Sequence, residues 1–513
     1  MRGKAPHSIV GPRAPVFWTG CAAIAAGVLL HLPMLAMAHD MGNHLAGMEM
    51  DPAMWAGMAL ILAGVPLAIW GALPGRRTPH GADAGTSYEA RDSTPLNRWH
   101  AGVLLVLILG LVIDVMKPAT LGFVLPGLAH EYGIARSTAA FLPFVALVGT
   151  TVGSFVWGWL ADVYGRRVSI LLSTILFVST SICGAMPMFE LNLLMCFLMG
   201  ASAGGMLPVV YTLLAEVMPP RHRSWVLVLV GGTGLVGGYL AASAAAHAFE
   251  PVFGWRALWL QGFPTGILLL ALARFIPESP RFLAERGRIE ELEAMTERFG
   301  IVPVPRSARP VDAAISTQRH GRLTLALVIT ALAWSFVSFG LLLWLPSDLQ
   351  ARGYSAELAS GIIASSALVA LPTIMLAAVL YSRWSSKWTF VLTIALTLLG
   401  LLGALLPIRI LASDAVVITV IFLLVVGSNG MIAVMLPYAA ENYPLGIRGR
   451  ATGLVAGSSK FGGVAVQGLA LLGLIPTLGG AALALLGPMA LSLGLVAWAG
   501  RETRGRSLRE LEA

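Results

Sequence analysis

Stretches of about 20 apolar residues, broken by short polar turns, recur along nearly the whole chain, and each can cross the roughly 30 Å hydrocarbon layer as a helix. The pattern predicts spans over residues 16–37, 54–73, 101–127, 138–161, 168–188, 191–213, 224–247, 257–275, 322–346, 359–381, 389–407, 414–436, 451–475 and 479–500. In lipid no water satisfies the backbone, so such segments are helical. The longest polar stretch, 276–321, divides the last twelve spans into six and six, and a shorter one, 74–100, sets the first two apart. The expectation is an all-α polytopic membrane protein of about fourteen spans. Its parts are a two-helix membrane segment (1–75), a linker (76–99), a six-helix half (100–276), a central loop (277–321), and a second half with its tail (322–513). Within the central loop, residues 285–299 read as an amphipathic surface helix.

Composition narrows the class. With 57% hydrophobic and 12% charged residues, the chain lies outside the range of water-soluble domains. A net charge of +8 would suit nucleic acid, but the Lys and Arg are scattered between apolar stretches and report topology instead. With a cytoplasmic N-terminus, the outward loops hold only Arg136, Arg256, Arg352 and Arg409 of the 34 basic residues, and Lys117 and Lys460 lie within spans. This asymmetry places both termini in the cytoplasm of a bacterial-type inner membrane. Ala36-Met37-Ala38 also fits a signal-peptidase site, whose use would leave His39 first and its loop outside as before. Cys21, Cys183 and Cys196 all fall in apolar segments without metal-ligand spacing.

The halves repeat. Glu216, Pro219 and Arg223 after the fourth span of the first half recur as Glu441, Pro444 and Arg448, each pair 225 residues apart. Parallel six-helix repeats place a substrate site at mid-membrane, between two rocking halves.

Charge within hydrocarbon marks candidate function. Asp114 and Lys117 stand three apart and can share a helix face, either lining a central cavity or forming a fixed ion pair, with Pro118 next in line. Lys460, near the middle of the thirteenth span, suits a carboxylate substrate. Asn429 and Gln467 are further polar candidates. Trp157, Tyr211, Trp334 and Tyr438 offer aromatic surface for a ligand or for packing. No nucleophile elbow, phosphate-binding loop or zinc-protease motif is visible, so no enzyme chemistry is expected. The first outward loop gathers His39, Met41, His44, Met48 and Met50 without a Lys or Arg, a thioether and imidazole set that suits copper, or a plain polar turn.

Residues 158–167, GWLADVYGRR, resemble the signature loop of the major facilitator superfamily. The resemblance implies a gating role for Gly158, Asp162, Gly165, Arg166 and Arg167, and for the repeated Glu216, Arg223, Glu441 and Arg448. Gly158 and Gly165 would allow close helix approach and a tight turn. Val163 departs from the pattern, standing where a basic residue is usual. PESPRFL at 277–283 and ETRGRSL at 502–508 resemble the paired end motifs of the sugar-porter and metabolite:proton symporter branches. The seventh family span lacks the Gln-rich and Tyr-Tyr elements of hexose porters, which disfavours a sugar. Residues 231–238, GGTGLVGG, only partly resemble the drug:proton antiporter signature and read as close-packing positions.

Together these features lead to the expectation of a monomeric carrier that imports a small organic anion, an aromatic or other monocarboxylate, with protons. Asp114 and Lys117 would couple the proton, and Lys117, Lys460, Asn429, Tyr211, Trp334 and Tyr438 would meet the substrate. Proton-driven efflux, or copper sensing or delivery on a transporter scaffold, are the alternatives. No cofactor is expected beyond copper at the loop, and no nucleic acid.

Overall fold

The computed structural model describes residues 13–40, 42, 44–73, 86–305, 313–406, 413–443, 445–474 and 477–504. Among them are fourteen helices long and apolar enough to cross a membrane. They are α1 (Ala14–Met37), α2 (Pro52–Ala72), α3 (Arg98–Tyr132), α4 (Arg136–Tyr164), α5 (Arg166–Ala185), α6 (Phe189–Val217) and α7 (Pro220–Phe253). The rest are α8 (Ala257–Phe275), α9 (Gly321–Ala351), α10 (Ala356–Arg383), α11 (Ser386–Ala404), α12 (Asp414–Asn442), α13 (Ala451–Leu471) and α14 (Leu478–Ala499). Each matches one expected span. Most run a few residues further, because a helix continues past the apolar layer until a cap stops it. Asn97 begins α3 by accepting from the backbone of Trp99 and His100, and Gly133 in left-handed conformation ends it.

The turn at Gly165 and the connection from α8 to α9 lie on one face of the bundle, called here the basic face. The loop at 44–51 and the turns at 133–135 and 254–256 lie on the opposite face.

Helices α1 and α2 form a close antiparallel hairpin. Gly57, Gly64 and Gly71 recur every seventh residue on one side of α2, where a Cβ would collide with Gly27, Gly20 and Phe17 of α1. Only glycine permits that approach. Asp51 caps α2 by accepting from the Met54 N–H (2.7 Å).

Helices α3–α8 form one half and α9–α14 the other. Within the first, Gly234, Gly237 and Gly238 of α7 face Leu111, Val112 and Val115 of α3, so the glycine run packs helices as its sequence suggests. Between halves, Gly232 of α7 meets Ile374 of α10 and Ala433 of α12. Nearer the opposite face, His247 of α7 donates to the Glu357 carbonyl of α10 (2.9 Å), and Gly122 of α3 lies against Leu343 of α9. The Arg136 guanidinium sits 5.5 Å over the Trp344 ring of the other half.

On the basic face a two-stranded antiparallel ribbon joins β1 (Thr86–Ala90) to β2 (Ile301–Pro305), with Tyr88 opposite Pro303. It ties the linker before α3 to the connection after α8. The amphipathic segment of that connection forms a helix, Ile289–Phe299, which buries Leu292, Met295 and Phe299.

Candidate functional site

Asp114 and Lys117 both lie on the buried side of α3, with Asp114 8% exposed and Lys117 fully enclosed. The fixed ion pair, one of the two arrangements their spacing allowed, is absent among the described residues. Lys117 Nζ instead donates to the Phe177 carbonyl (2.6 Å) and Thr180 Oγ1 (2.7 Å), and lies 4.5 Å over the Phe177 ring. The cause is the end of α5. After Ser179 it tightens into a 3-10 turn, Thr180–Ala185, and the last α-helical carbonyls concentrate partial negative charge there. A flexible four-carbon stem carries the ammonium to that site rather than to the carboxylate one turn away.

The cation whose charge acts on Asp114 is Lys460 of α13, in the other half, although the two form no ion pair among the described residues. Helix spacing on α3 alone does not show this cross-half lysine. Beside Lys460, Ser335 donates to the Ser459 carbonyl, joining α9 to α13.

From Phe336 to Leu342, α9 opens into a π-helical segment, a deviation that frees backbone carbonyls and is frequent at functional sites. Gln467 of α13 donates to one of them, that of Phe339 (2.5 Å), while its own Oε1 has no partner among the described residues. Trp334 donates to the Ser428 carbonyl (2.8 Å) and packs edge-on against Phe339 (5.8 Å). Ser338 and Ser428 pair at 2.9 Å. Asn429 donates back to Val425 of its own helix (2.9 Å). The Tyr211 hydroxyl is buried against Gly231 with no partner among the described residues, and that of Tyr239, unremarked in the sequence, is in the same state, its ring beside Phe123. Tyr438 stands apart from this group. Its hydroxyl donates to the Arg501 carbonyl (2.6 Å) and its ring packs on Phe390 (5.5 Å), which anchors the end of α14 on the basic face. Trp157 donates to the Ala201 carbonyl (2.6 Å).

The signature loop is built around Arg166. Its guanidinium meets Asp162 (3.4 Å), Glu216 (3.3 Å) and the Ala161 carbonyl (3.1 Å). Arg223 donates to the Met218 carbonyl (3.5 Å). Gly165 has φ 102°, and a Cβ there would strike the Glu278 carboxylate. Gly158 does not make the close approach expected of it: a Cβ there meets nothing within 4 Å, whereas Gly153, further back on α4, lies against the Ala201 backbone.

Glu278, from the PESPRFL motif, accepts from the backbone N–H of Arg166 (2.7 Å) and Ser279 (2.9 Å), sealing the first turn of α5. Burial holds its carboxyl above the usual range, although these N–H groups and that of Arg167 pull it down. The second half repeats the device. Glu502 accepts from the Ser386 backbone (2.9 Å) and hydroxyl (2.7 Å) at the start of α11, and also from Ser385. Burial opposes ionisation here as well, but the hydroxyls of Ser385 and Ser386 and the N–H groups of Arg504 and Ser386 outweigh it and bring the carboxyl to about 2. Glu441 accepts from Tyr381 and Thr503 (both 2.7 Å). The Arg448 side chain lies outside the described residues.

On the opposite face, Met48 and Met50 pack against the apolar core and His44 is exposed. The His39 side chain and Met41 lie outside the described residues. Among those described, no three His, Cys, Asp or Glu gather as a metal site. The same loop has a different contact, unforeseen from sequence. The backbone N–H groups of Leu45 and Ala46 donate to Glu131 Oε1 (2.7 and 2.9 Å), which also pairs with Arg256 (2.7 Å). Both ionic side chains are buried, at 3% and 2% exposure. Trp255 donates to the other carboxylate oxygen (2.9 Å), and Arg256 to the carbonyls of Gly184 (2.9 Å) and Met186 (3.0 Å). Arg256 was one of few basic residues in loops of that side, and this rarity was the available signal.

Residues 103–467 match the sequence model of the Major Facilitator Superfamily. The chain is 27% identical to the niacin transporter NiaP of Acinetobacter baylyi, over 73% of this chain and 87% of that protein. It is 29% identical to the 4-hydroxybenzoate transporter PcaK of Pseudomonas putida, over 74% of this chain and 88% of that one. Its fold is similar to that of the proton:xylose symporter XylE, with a TM-score of 0.63 at 18% identity, covering 80% of this chain and 98% of XylE.

Proposed function

The chain belongs to the major facilitator superfamily, a transporter and not an enzyme, and from that membership we propose that it imports a small organic anion, an aromatic or other monocarboxylate, together with protons. The observation that carries this reading is that each half contributes one opposite charge, Asp114 from α3 and Lys460 from α13, within electrostatic range of each other. A carboxylate entering between the halves engages the Lys460 ammonium by charge-assisted hydrogen bonding. Asp114 then loses its facing cation and takes up a proton. With both charges neutralised, the halves can rock past each other without dragging net charge through hydrocarbon. Substrate and proton thus favour each other's binding, the reciprocity that symport requires. NiaP and PcaK, which carry niacin and 4-hydroxybenzoate, support an aromatic monocarboxylate. In this reading the basic face is cytoplasmic, and Asp162, Arg166 and Glu216 govern the conformational cycle.

The test is uptake into proteoliposomes of a panel of aromatic and aliphatic monocarboxylates, with and without an inward proton gradient. Asp114→Asn should still exchange substrate across the membrane but no longer accumulate it against a gradient, and Lys460→Gln should lose binding. Undiminished proton-driven accumulation by Asp114→Asn would rule the coupling role out.

A further inference from the structure

Where the α1–α2 hairpin meets the first half, α2 rests on α5 while α4 stands away from it. The gap is a cleft of about 320 Å³, walled by Ile69 and Leu73 of α2 and Val156 and Leu160 of α4, and floored by Leu172 and Leu176 of α5. All six side chains are apolar and belong to spanning helices or their immediate ends. Along α4 the lining runs from Val152 to Tyr164, a rise of about 18 Å at roughly 1.5 Å per residue. That is close to the depth of one leaflet, half of a roughly 30 Å hydrocarbon layer. The cleft therefore extends from mid-membrane to the basic face.

Its rim has the chemistry of a bilayer interface. Trp159 is 60% exposed and packs edge-on against Tyr164 (6.4 Å). The Arg13 guanidinium lies 5.0 Å over Trp70, next to Ile69. Arg286 adds a second cation, donating to the Val163 carbonyl (2.5 Å). The acid nearby, Asp162, is within 3.4 Å of Arg166. Aromatic rings with arginines at this depth match a phosphate above an acyl chain.

We propose that this cleft binds one acyl chain of a phospholipid from the basic-face leaflet, with the phosphate held by Arg13. The drive is close packing rather than the hydrophobic effect, since lipid tails are as apolar as the wall. The bound chain fills the seam between the hairpin and the transport half, which the protein's own side chains leave open.

The full-length protein, purified in mild detergent and supplied with dioleoylphosphatidylglycerol, should retain one lipid per chain in native mass spectrometry. Val156→Trp and Ile69→Trp, which fill the cleft from opposite walls, should each lose it. Leu368→Trp, on the 59% exposed surface of α10, should keep it. Arg13→Gln should weaken retention, and equal retention would overturn the phosphate contact. In nanodiscs, a phospholipid with a diazirine on its acyl chain should label peptides containing residues 66–73 and 152–164 above other lipid-facing helices. Retention unchanged by both tryptophans, or labelling spread evenly over the exposed helices as by annular lipid only, would overturn the site. If one tryptophan variant fails to fold, the other and the labelling pattern still decide.

Discussion

Residue spacing reveals which side chains can share a helix face, but not where a long side chain ends. Asp114 and Lys117 were legible as charges that need a purpose, yet the partner of Lys117 is a carbonyl 60 residues away that spacing cannot show. The structure gives Lys117 a packing duty. Lys117→Met should lower stability by about 1–3 kcal/mol, the cost of leaving buried acceptors without their donor. Thermal unfolding in detergent measures this. Proton-driven accumulation per folded molecule should persist, and its loss at unchanged stability would make Lys117 the partner of Asp114 after all. Glu502 was legible only as part of a motif. Its carboxyl is held near 2 against an ordinary 4.5, so its charge favours the folded state fully above about 4.5 and progressively less as pH falls toward 2. The difference in Tm between the wild type and Glu502→Gln should therefore narrow as pH is lowered through that window. A constant difference would show that Glu502 acts through shape alone.

At the scale of elements, length and hydropathy made every span readable, because each must satisfy its backbone internally and needs no distant partner to be recognised. The ribbon was not readable. Its second strand, IVPVP, carries two prolines that argue against a strand, and is tolerated because a two-stranded ribbon has a free edge for each. The hairpin α1–α2 looked separable from the twelve helices that follow, but besides resting on α5 it is tied to them by hydrogen bonds at two places. Leu45 and Ala46 satisfy the buried Glu131, and β1, which follows the hairpin, pairs with β2. Two shortened chains separate these ties. One beginning at Gly85 loses the Glu131 donors and keeps the ribbon, whereas one beginning at Asp92 loses both. Both should insert, with Tm falling from the full chain to the first and again to the second. Equal Tm for all three would mean that neither tie contributes.

Across the whole molecule, the repeat of halves was visible in three residue types at one offset, and the fold carries it further than those residues did. Glu278 and Glu502 seal α5 and α11 in the same way, so the paired end motifs visible in sequence turn out to be helix caps, a role hidden there because the capped residues, Arg166 and Ser386, differ. The central site was legible in its charges and not in which of them act on each other across the halves, since that depends on how the halves dock. The basic-face loop acts at this scale too. Asp162 is 77% exposed and contacts Arg166 at 3.4 Å, far along α4 from the cavity. Asp162→Asn should slow transport while leaving equilibrium substrate binding in detergent nearly unchanged, and a large loss of binding with a normal turnover would sink its gating role. The two glutamate caps also bear on how the protein is made. The start of α5 waits for a residue 112 positions later, and the start of α11 for one 116 positions later. Neither cap can form until its half has left the ribosome, and until then water at the membrane surface must satisfy those N–H groups.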